Sequence, residues 1–289
     1  PRDSSMRGRP SRTAEATCLF RAWELARPEG RRLVTDRYAP AFLGAPARIA
    51  WRLGVPPAVD AMDRVADGLI TFVAARHRFI DDALVEALGQ DFEAVVILGA
   101  GYDSRAWRFA DRLAGRPLVE LDHPATSARK AAIVAARAAR WPAVARRAVA
   151  IDLQRAPLAE GLRRAGGVEG RRLFVVWEGV SMYLSRAAVE QTLSTLATAA
   201  PGSRIAMDLW DPTPRPGLEG RLRELGLRGL SLLGEPVDFG LAPREVEPFV
   251  SPLGLSVRDV ADCRSLESRY PVAGRPLYPS MWCALLTVA

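Results

Sequence analysis

The sequence has few residues of the kinds that build disulfide staples or metal centres. Among 289 residues there are three cysteines and two histidines. Cys18, Cys263 and Cys283 lie far apart, and neither they nor the histidines stand at the spacing of zinc ligands. We therefore expect reduced thiols, no disulfide framework and no structural metal site, while magnesium held by scattered carboxylates stays open.

Long apolar runs are also missing. No stretch approaches the ~20 residues that cross a bilayer as a helix, and the Arg- and Ser-rich residues 1–12 have no apolar run behind them. That segment therefore does not resemble a secretory signal. We expect a cytoplasmic protein that does not associate with membranes.

Lysine is almost absent. Lys130 is the single lysine among 40 basic residues, so arginine carries the net charge of +7. Arginine, alanine, glycine and proline are abundant together, which indicates the codon bias of a GC-rich genome. The arginines are spread along the chain, whereas a nucleic-acid-binding face needs them clustered. We expect no nucleic-acid partner.

The second part of the chain alternates short apolar runs with helical patterns. The helical patterns include 125–139 and 186–199, and the runs fall at 94–98, 118–121, 148–151, 173–177, 204–209, 255–260 and 281–288. Runs without in/out alternation are typical of strands buried on both faces, and their alternation with helices favours a mostly parallel sheet. The prediction is an open α/β sheet of about seven strands.

Helical patterns also precede this sheet, at 11–28 and, longest of all, at 60–88, where Gly89 is a stop signal. Residues 211–250 are rich in Pro, Gly, Leu and Arg and interrupt the alternation. We expect one compact unit: residues 1–89 form an arm and helices that cap the active site. Residues 90–289 form the core, with a lid-like insertion at 211–250.

The first strand runs directly into Gly99-Ala100-Gly101. At the carboxyl end of a strand, where ligands bind in open α/β sheets, glycine permits close approach of the backbone to a ligand. Asp122 follows Gly101 by 21 residues, at the end of the second strand, where an acid accepts hydrogen bonds from ribose hydroxyls. These features predict an adenosine-containing cofactor.

Two kinds of adenosine cofactor compete for this site. A dinucleotide site has a third glycine where this chain has Ser104, and no Gly-Lys-Ser/Thr phosphate loop is present. A cofactor without phosphates, S-adenosylmethionine, needs only backbone room and the ribose acid. We favour the latter and keep an NAD-type site as the alternative.

Seven collinear segments between residues 13 and 184 resemble the leucine carboxyl methyltransferase family, whose members include a eukaryotic enzyme acting on a phosphatase C-terminus and bacterial polyketide-type O-methyltransferases. These segments are 13–14 with 21–22, Asp36-Arg-Tyr-Ala39, Ala75-Arg-His-Arg-Phe-Ile-Asp-Asp82, Leu98-Gly-Ala-Gly-Tyr-Asp-Ser-Arg105, Glu120-Leu-Asp-His-Pro124, Asp152-Leu153 and Trp177-Glu-Gly-Val-Ser-Met-Tyr-Leu184. The resemblance implies S-adenosyl-L-methionine bound on a Rossmann-like class I methyltransferase sheet.

The resemblance also implies how the cofactor is held. The loop Gly99-Ala100-Gly101 would follow the methionine moiety, and Asp122 would bind the ribose. Further positions are implied in the same way: the adenine at Asp152 and Leu153, the cofactor carboxylate at Arg76, and the ammonium or reaction centre at Glu178. Arg21 is a looser N-terminal candidate, and His123 is more simply a local hydrogen-bonding residue.

Methyl transfer to oxygen is the reaction we expect. A carboxylate acceptor is already ionised at pH 7 and needs no base, whereas a hydroxyl does. The catalytic candidates are Glu178, Tyr183 and His77, with Asp208 as a further substrate-side group. We favour a small-molecule acceptor such as a polyketide-type secondary metabolite. The alternatives are a protein C-terminal carboxylate, an NAD-type oxidoreductase and a non-catalytic nucleoside-binding module.

Overall fold

A computed structural model describes residues 11–166, 168, 170–215, 237–271 and 274–289. The lid predicted within 211–250 falls mainly on residues 216–236, outside the described residues. In the described part of the chain, none of the helices combines the length and the apolar character that crossing a bilayer demands.

A seven-stranded sheet lies at the centre of the fold, in the order β3-β2-β1-β4-β5-β7-β6. The first five strands are parallel, and β7 is antiparallel to both β5 and β6. The prediction of a mostly parallel sheet of about seven strands is confirmed. The strands are β1 Ala94–Leu98, β2 Leu118–Asp122, β3 Arg146–Ala150, β4 Leu173–Trp177, β5 Arg204–Trp210, β6 Leu255–Ala261 and β7 Met281–Val288.

Helices cover both faces of the sheet, which is why the central strands have no polar side. Every residue of β1 and β4 is buried; Ile97 and Val176 face one apolar cluster, whereas Val96 and Val175 face the other. The helices are α1 Arg12–Glu24, α2 Ala39–Phe42, α3 Ala45–Leu53, α4 Pro56–Val65, α5 Leu69–Leu88, α6 Arg105–Arg108, α7 Ala110–Leu113, α8 Pro124–Ala135, α9 Leu158–Ala165, α10 Arg186–Leu196, α11 Val246–Val250 and α12 Cys263–Arg269.

The single helix predicted over 60–88 is wrong at its start. The chain forms α4 and α5 instead, separated by Asp67 and Gly68, whose φ angles are +53° and +84°. Such left-handed angles cannot continue a right-handed helix. Asp63 accepts the backbone N–H groups of Ile70 and Thr71 at 2.7 and 3.1 Å, so it caps α5 from the preceding helix.

The single lysine of the chain lies in the core. Lys130, on α8, places Nζ 2.7 Å from Oε2 of Glu120 on β2, and the same oxygen is 2.8 Å from Nη2 of Arg146. The rings of Phe42 and Trp107 lie 6.0 and 5.8 Å from this ammonium. The lysine thus joins α8 to the sheet beside the end of β2.

Candidate functional site

The site is built where the strand order reverses, because β1 lies between β2 and β4 and the connections leave it in opposite directions. The loop after β1 begins with Gly99 at φ +61° and Gly101 at φ +47°. A Cβ on Gly99 would lie 2.3 Å from Cγ2 of Val180, and one on Gly101 would lie 3.2 Å from Cβ of Ala14 on α1. Glycine is therefore required at 99 on both conformational and steric grounds.

Asp122 connects the end of β2 to this glycine loop. One of its carboxylate oxygens accepts the Gly101 N–H at 3.0 Å, and the other accepts the His123 N–H at 2.8 Å. Burial raises the pKa of Asp122 to about 6. The predicted loop and acid are thus in direct contact, and Asp122 is held with lone pairs left for a further donor.

Arg76 holds two carboxylates from neighbouring strands. Its side chain is 4% exposed; Nε lies 3.0 Å from Oε1 of Glu178, and Nη1 lies 2.7 Å from Oδ2 of Asp208. Asp208 also accepts the Gly179 N–H at 2.6 Å, and burial raises its pKa. An arginine on an amphipathic helix is usually solvated, whereas this one lies at the carboxyl ends of β4 and β5.

Glu178 receives three donors. Besides Arg76, these are Nδ1 of His77 at 3.0 Å from Oε2 and Nη1 of Arg105 at 2.8 Å from the same oxygen. Burial by itself would raise the pKa of Glu178, but His77, Arg105 and Arg76 outweigh it and hold the pKa well below its usual range. Glu178 therefore ionises more readily than an ordinary glutamate and is a correspondingly weaker base.

A second ring of charged side chains surrounds these groups. Asp81 on α5 accepts Arg105 Nε at 2.8 Å and Arg108 Nη1 at 2.6 Å, and Asp103 pairs with Arg105. Arg105, Arg108 and Asp81 were not predicted as site residues. The available signal was their spacing, because Asp81 follows His77 by four residues and Arg108 follows Arg105 by three, which places each pair on one helical face.

We call this set the buried ion-pair network. It contains three guanidinium groups, four carboxylates and His77, and it comprises Arg76, His77, Asp81, Asp103, Arg105, Arg108, Glu178 and Asp208. With a neutral His77 and all four carboxylates ionised, negative charge exceeds positive by one. Buried charges favour neutralisation, so this site suits a cationic ligand.

The remaining predicted residues have local contacts. Asp152 follows β3 and accepts the Gln154 N–H at 3.0 Å, while Arg155 Nε lies 3.4 Å from it; the adjacent Leu153 is partly buried against the core. The backbone carbonyl of Tyr183 accepts a 3.3 Å hydrogen bond from Nε2 of the same Gln154. These residues lie at the carboxyl edge of the sheet but outside the buried ion-pair network.

His123 has the local role expected of it, because its Nδ1 accepts the Ala125 N–H at 3.3 Å at the start of α8. Over the residues that the structure describes, no group of three or more His, Cys, Asp or Glu side chains is arranged to hold a metal ion.

The fold is that of a known α/β protein. A solved structure of a DUF574 family protein from Streptomyces avermitilis superposes with a TM-score of 0.61, covering 93% of this chain and 97% of that one at 14% identity. The seven-stranded sheet with its reversed strand order and glycine loop is the Rossmann-like architecture of class I methyltransferases.

Sequence comparison is more specific. A relative from Parafrankia sp. (strain EAN1pec), named as a candidate S-adenosyl-L-methionine-dependent methyltransferase, is 37% identical over 68% of this chain and 62% of its own length. A Mycobacteroides abscessus relative with the same description is 37% identical over 61% of this chain and 58% of its own length. The chain thus spans about three fifths of the length of these two curated relatives. A relative from Frankia alni is 35% identical over 73% of this chain and 68% of its own length.

The family model for leucine carboxyl methyltransferase matches residues 14–197. The chain belongs to the leucine carboxyl methyltransferase family. The match ends within the helical region after β4, so it includes the glycine loop, Asp122, Arg76 and Glu178 but not Asp208.

Proposed function

We propose that the chain is an S-adenosyl-L-methionine-dependent methyltransferase that acts on an oxygen atom of a small molecule. Family membership and the descriptions of the relatives support the cofactor and the transfer. The observation that carries the proposal is the contact between Asp122 and Gly101. It brings an acid suited to a ribose against a glycine loop that has no phosphate-binding motif.

The residues of the site fit this cofactor in charge and in the contacts they offer. Glycine at position 99 lets the loop after β1 pack against Val180, whose Cγ2 would lie 2.3 Å from a Cβ there. S-adenosylmethionine carries a sulfonium and an ammonium against one carboxylate, and its surplus positive charge matches the surplus negative charge of the buried ion-pair network. When bound, it supplies an electrophilic methyl group. Its ribose would be held by Asp122 and its adenine by Asp152 and Leu153.

Arg76 and Glu178 would bind the two ends of the amino-acid moiety. Glu178 accepts three donors from the protein, which leaves one of the about four lone-pair directions of its carboxylate for an ammonium. Arg76 has N–H donors beyond those that bind Glu178 and Asp208. The protein's contribution is then to orient donor and acceptor, which is a large part of the acceleration in a single displacement.

A carboxylate acceptor is favoured over a hydroxyl, because the site offers no free base among its described central groups. Glu178 has a pKa well below its usual range, and Nε2 of His77 lies 2.7 Å from Nη2 of Arg108. Both carboxylate oxygens of Asp208 are hydrogen-bonded. Tyr183 stays a candidate for contact with the acceptor.

Calorimetry and a transfer assay test the proposal in sequence. We expect S-adenosylmethionine and S-adenosylhomocysteine to bind and NAD not to bind, and Asp122→Ala to weaken S-adenosylhomocysteine binding whereas the exposed Asp111→Ala leaves it unchanged. Methyl-labelled cofactor is then offered with panels of carboxylic acids and phenols. Alkali releases methanol from an ester but not from an ether, so the label identifies the acceptor oxygen. Binding of NAD alone, or equal affinity in Asp122→Ala, would refute the proposal.

A further inference from the structure

His77 is fully buried, and a carboxylate lies within hydrogen-bond distance of only one of its two ring nitrogens. Nδ1 lies 3.1 and 3.0 Å from the two carboxylate oxygens of Glu178. Nε2 lies 2.7 Å from Nη2 of Arg108. Nδ1 therefore has carboxylate acceptors at hydrogen-bond distance, whereas Nε2 faces a guanidinium. This difference decides which nitrogen carries the proton.

The contact with Arg108 fixes the tautomer. A guanidinium has N–H donors and no acceptor, so Nε2 of His77 has to accept and cannot carry a proton. The proton of the neutral ring is then on Nδ1 and is donated to Glu178. Arg105 Nη2 also lies 3.0 Å from Nδ1 and 3.4 Å from the His77 carbonyl. A neutral ring carries one proton, and Nδ1 is the nitrogen with carboxylate oxygens within hydrogen-bond distance, so the proton belongs there.

The groups around the ring oppose a second proton. An imidazolium would set an N–H donor against Arg108. The nearest carboxylate to Nε2 is Asp81, at 4.0 Å, and it is occupied by Arg105 and Arg108. Burial first, and then Arg105, lower the pKa of His77. The charge of Glu178 favours protonation, but that carboxylate already receives Arg76 and Arg105.

We propose that His77 is a positioning residue, present as the neutral Nδ1–H tautomer, that orients Glu178 and does not act as a general base. Its single N–H donated to Glu178, together with the donors of Arg76 and Arg105, takes three of the about four lone-pair directions of the carboxylate and leaves one for a ligand ammonium. This inference rests on the proposed function for the identity of that ligand. The tautomer itself can be measured without any ligand.

The first experiment uses the scarcity of histidine. Because the sequence contains only His77 and His123, ¹⁵N NMR of the whole chain shows two imidazoles, and His123→Asn assigns them. We expect His77 to keep a protonated Nδ1 and a bare Nε2 from about pH 5.5 to about 8.5, a range that spans the ordinary histidine pKa of about 6.5. An Nε2–H tautomer, or titration of His77 near its ordinary pKa, would overturn the proposal.

A second arm removes the group that fixes the tautomer. Arg108→Met frees Nε2 and leaves Asp81 with one guanidinium partner fewer, so the pKa of His77 should rise and its signals should titrate. Arg112→Met, at an exposed arginine of the neighbouring α7, is the matched control and should leave the His77 spectrum unchanged. Circular dichroism establishes that both variants are folded. A silent His77 in folded Arg108→Met contradicts the role given to Arg108.

A third arm links the tautomer to the ligand. The amide nitrogen of asparagine stands near the position of Nδ1, and that of glutamine near Nε2. His77→Ala should weaken S-adenosylhomocysteine binding about tenfold or more through loss of a hydrogen bond to a charged group, His77→Asn should restore most of it, and His77→Gln should not. A general base predicts the reverse: unchanged binding and equal loss of kcat in all three. If the wild type binds no S-adenosylhomocysteine, the proposed function fails while the NMR arms still decide the tautomer.

Discussion

The guanidinium of Arg21 on α1 donates a 2.7 Å hydrogen bond to the backbone carbonyl of Tyr102, directly after the glycine loop. Its Nε lies 3.0 Å from Oδ2 of Asp36, whose side chain is completely buried. The first helix of the described chain is thereby attached to the loop after β1. A helix remote in sequence forms one wall of the candidate site.

Arg21→Met should destabilise the fold because it leaves Asp36 buried without its ion-pair partner. Loss of one partner of a buried pair costs about 3–5 kcal/mol, which urea unfolding followed by circular dichroism will measure. The double variant Arg21→Met/Asp36→Asn should recover part of that loss, since the stranded charge is gone. Equal stability of Arg21→Met and wild type would show that the pair does not secure α1.

Cofactor affinity should depend on pH through Asp122. Burial raises the pKa of Asp122 to about 6, and the ionised carboxylate is the form that accepts hydrogen bonds from a ribose. Affinity for S-adenosylhomocysteine should be constant above about pH 7 and fall by up to about tenfold per pH unit below about pH 6. Asp122→Asn should bind more weakly and lose this dependence. Persistence of the same acid limb in Asp122→Asn would assign it to another group.

The glycine requirement at position 99 can be separated into its two causes. Gly99 and Gly115 both have positive φ, but a Cβ on Gly115 would meet nothing within 4 Å. Gly115→Ala should therefore cost only the conformational term of about 1–2 kcal/mol. Gly99→Ala adds the clash with Val180 and should lower both stability and cofactor affinity further. Val180→Ala in the same chain should relieve that clash, and no relief would mean that strain at Gly99 is purely conformational.

Arg76 should not tolerate lysine. Its Nε and Nη1 bind two different carboxylates, and a single ammonium cannot reproduce that fork. We expect Arg76→Lys to lower the free energy of unfolding by about 3 kcal/mol and to weaken S-adenosylhomocysteine binding. The neighbouring Arg78 is 45% exposed and pairs with Asp82, so Arg78→Lys should change stability by no more than about 0.5 kcal/mol. Similar effects of the two substitutions would contradict the fork.

The central strands β1 and β4 were predictable because they are short, continuously apolar and bounded by clear turn residues, and the run 281–288 is β7 itself. The break in the long helical pattern was not predicted, although Asp67-Gly68 is a turn signal. The apolar periodicity continues through these two residues, and tertiary contact decides the outcome: the Cβ position of Gly68 lies 2.6 Å from the Pro276 backbone.

The candidate site also has a part that the sequence predicts and a part that it does not. The glycine loop and Asp122 are local features of two strand ends, and their contact follows from strands that pair side by side. The network around Glu178 depends on which face of α5 meets α6. Sequence patterns leave that relation open: they give Arg105 only as the last residue of the glycine-loop segment and do not single out Arg108.

The burial of Lys130 has a practical consequence. The chain has one side-chain amine, and that amine is covered by Phe42 and Trp107 and paired with Glu120. Acylating reagents specific for lysine can reach it only when α8 separates from the sheet. The rate of acylation at this single position would therefore report how often the structure beside β2 opens.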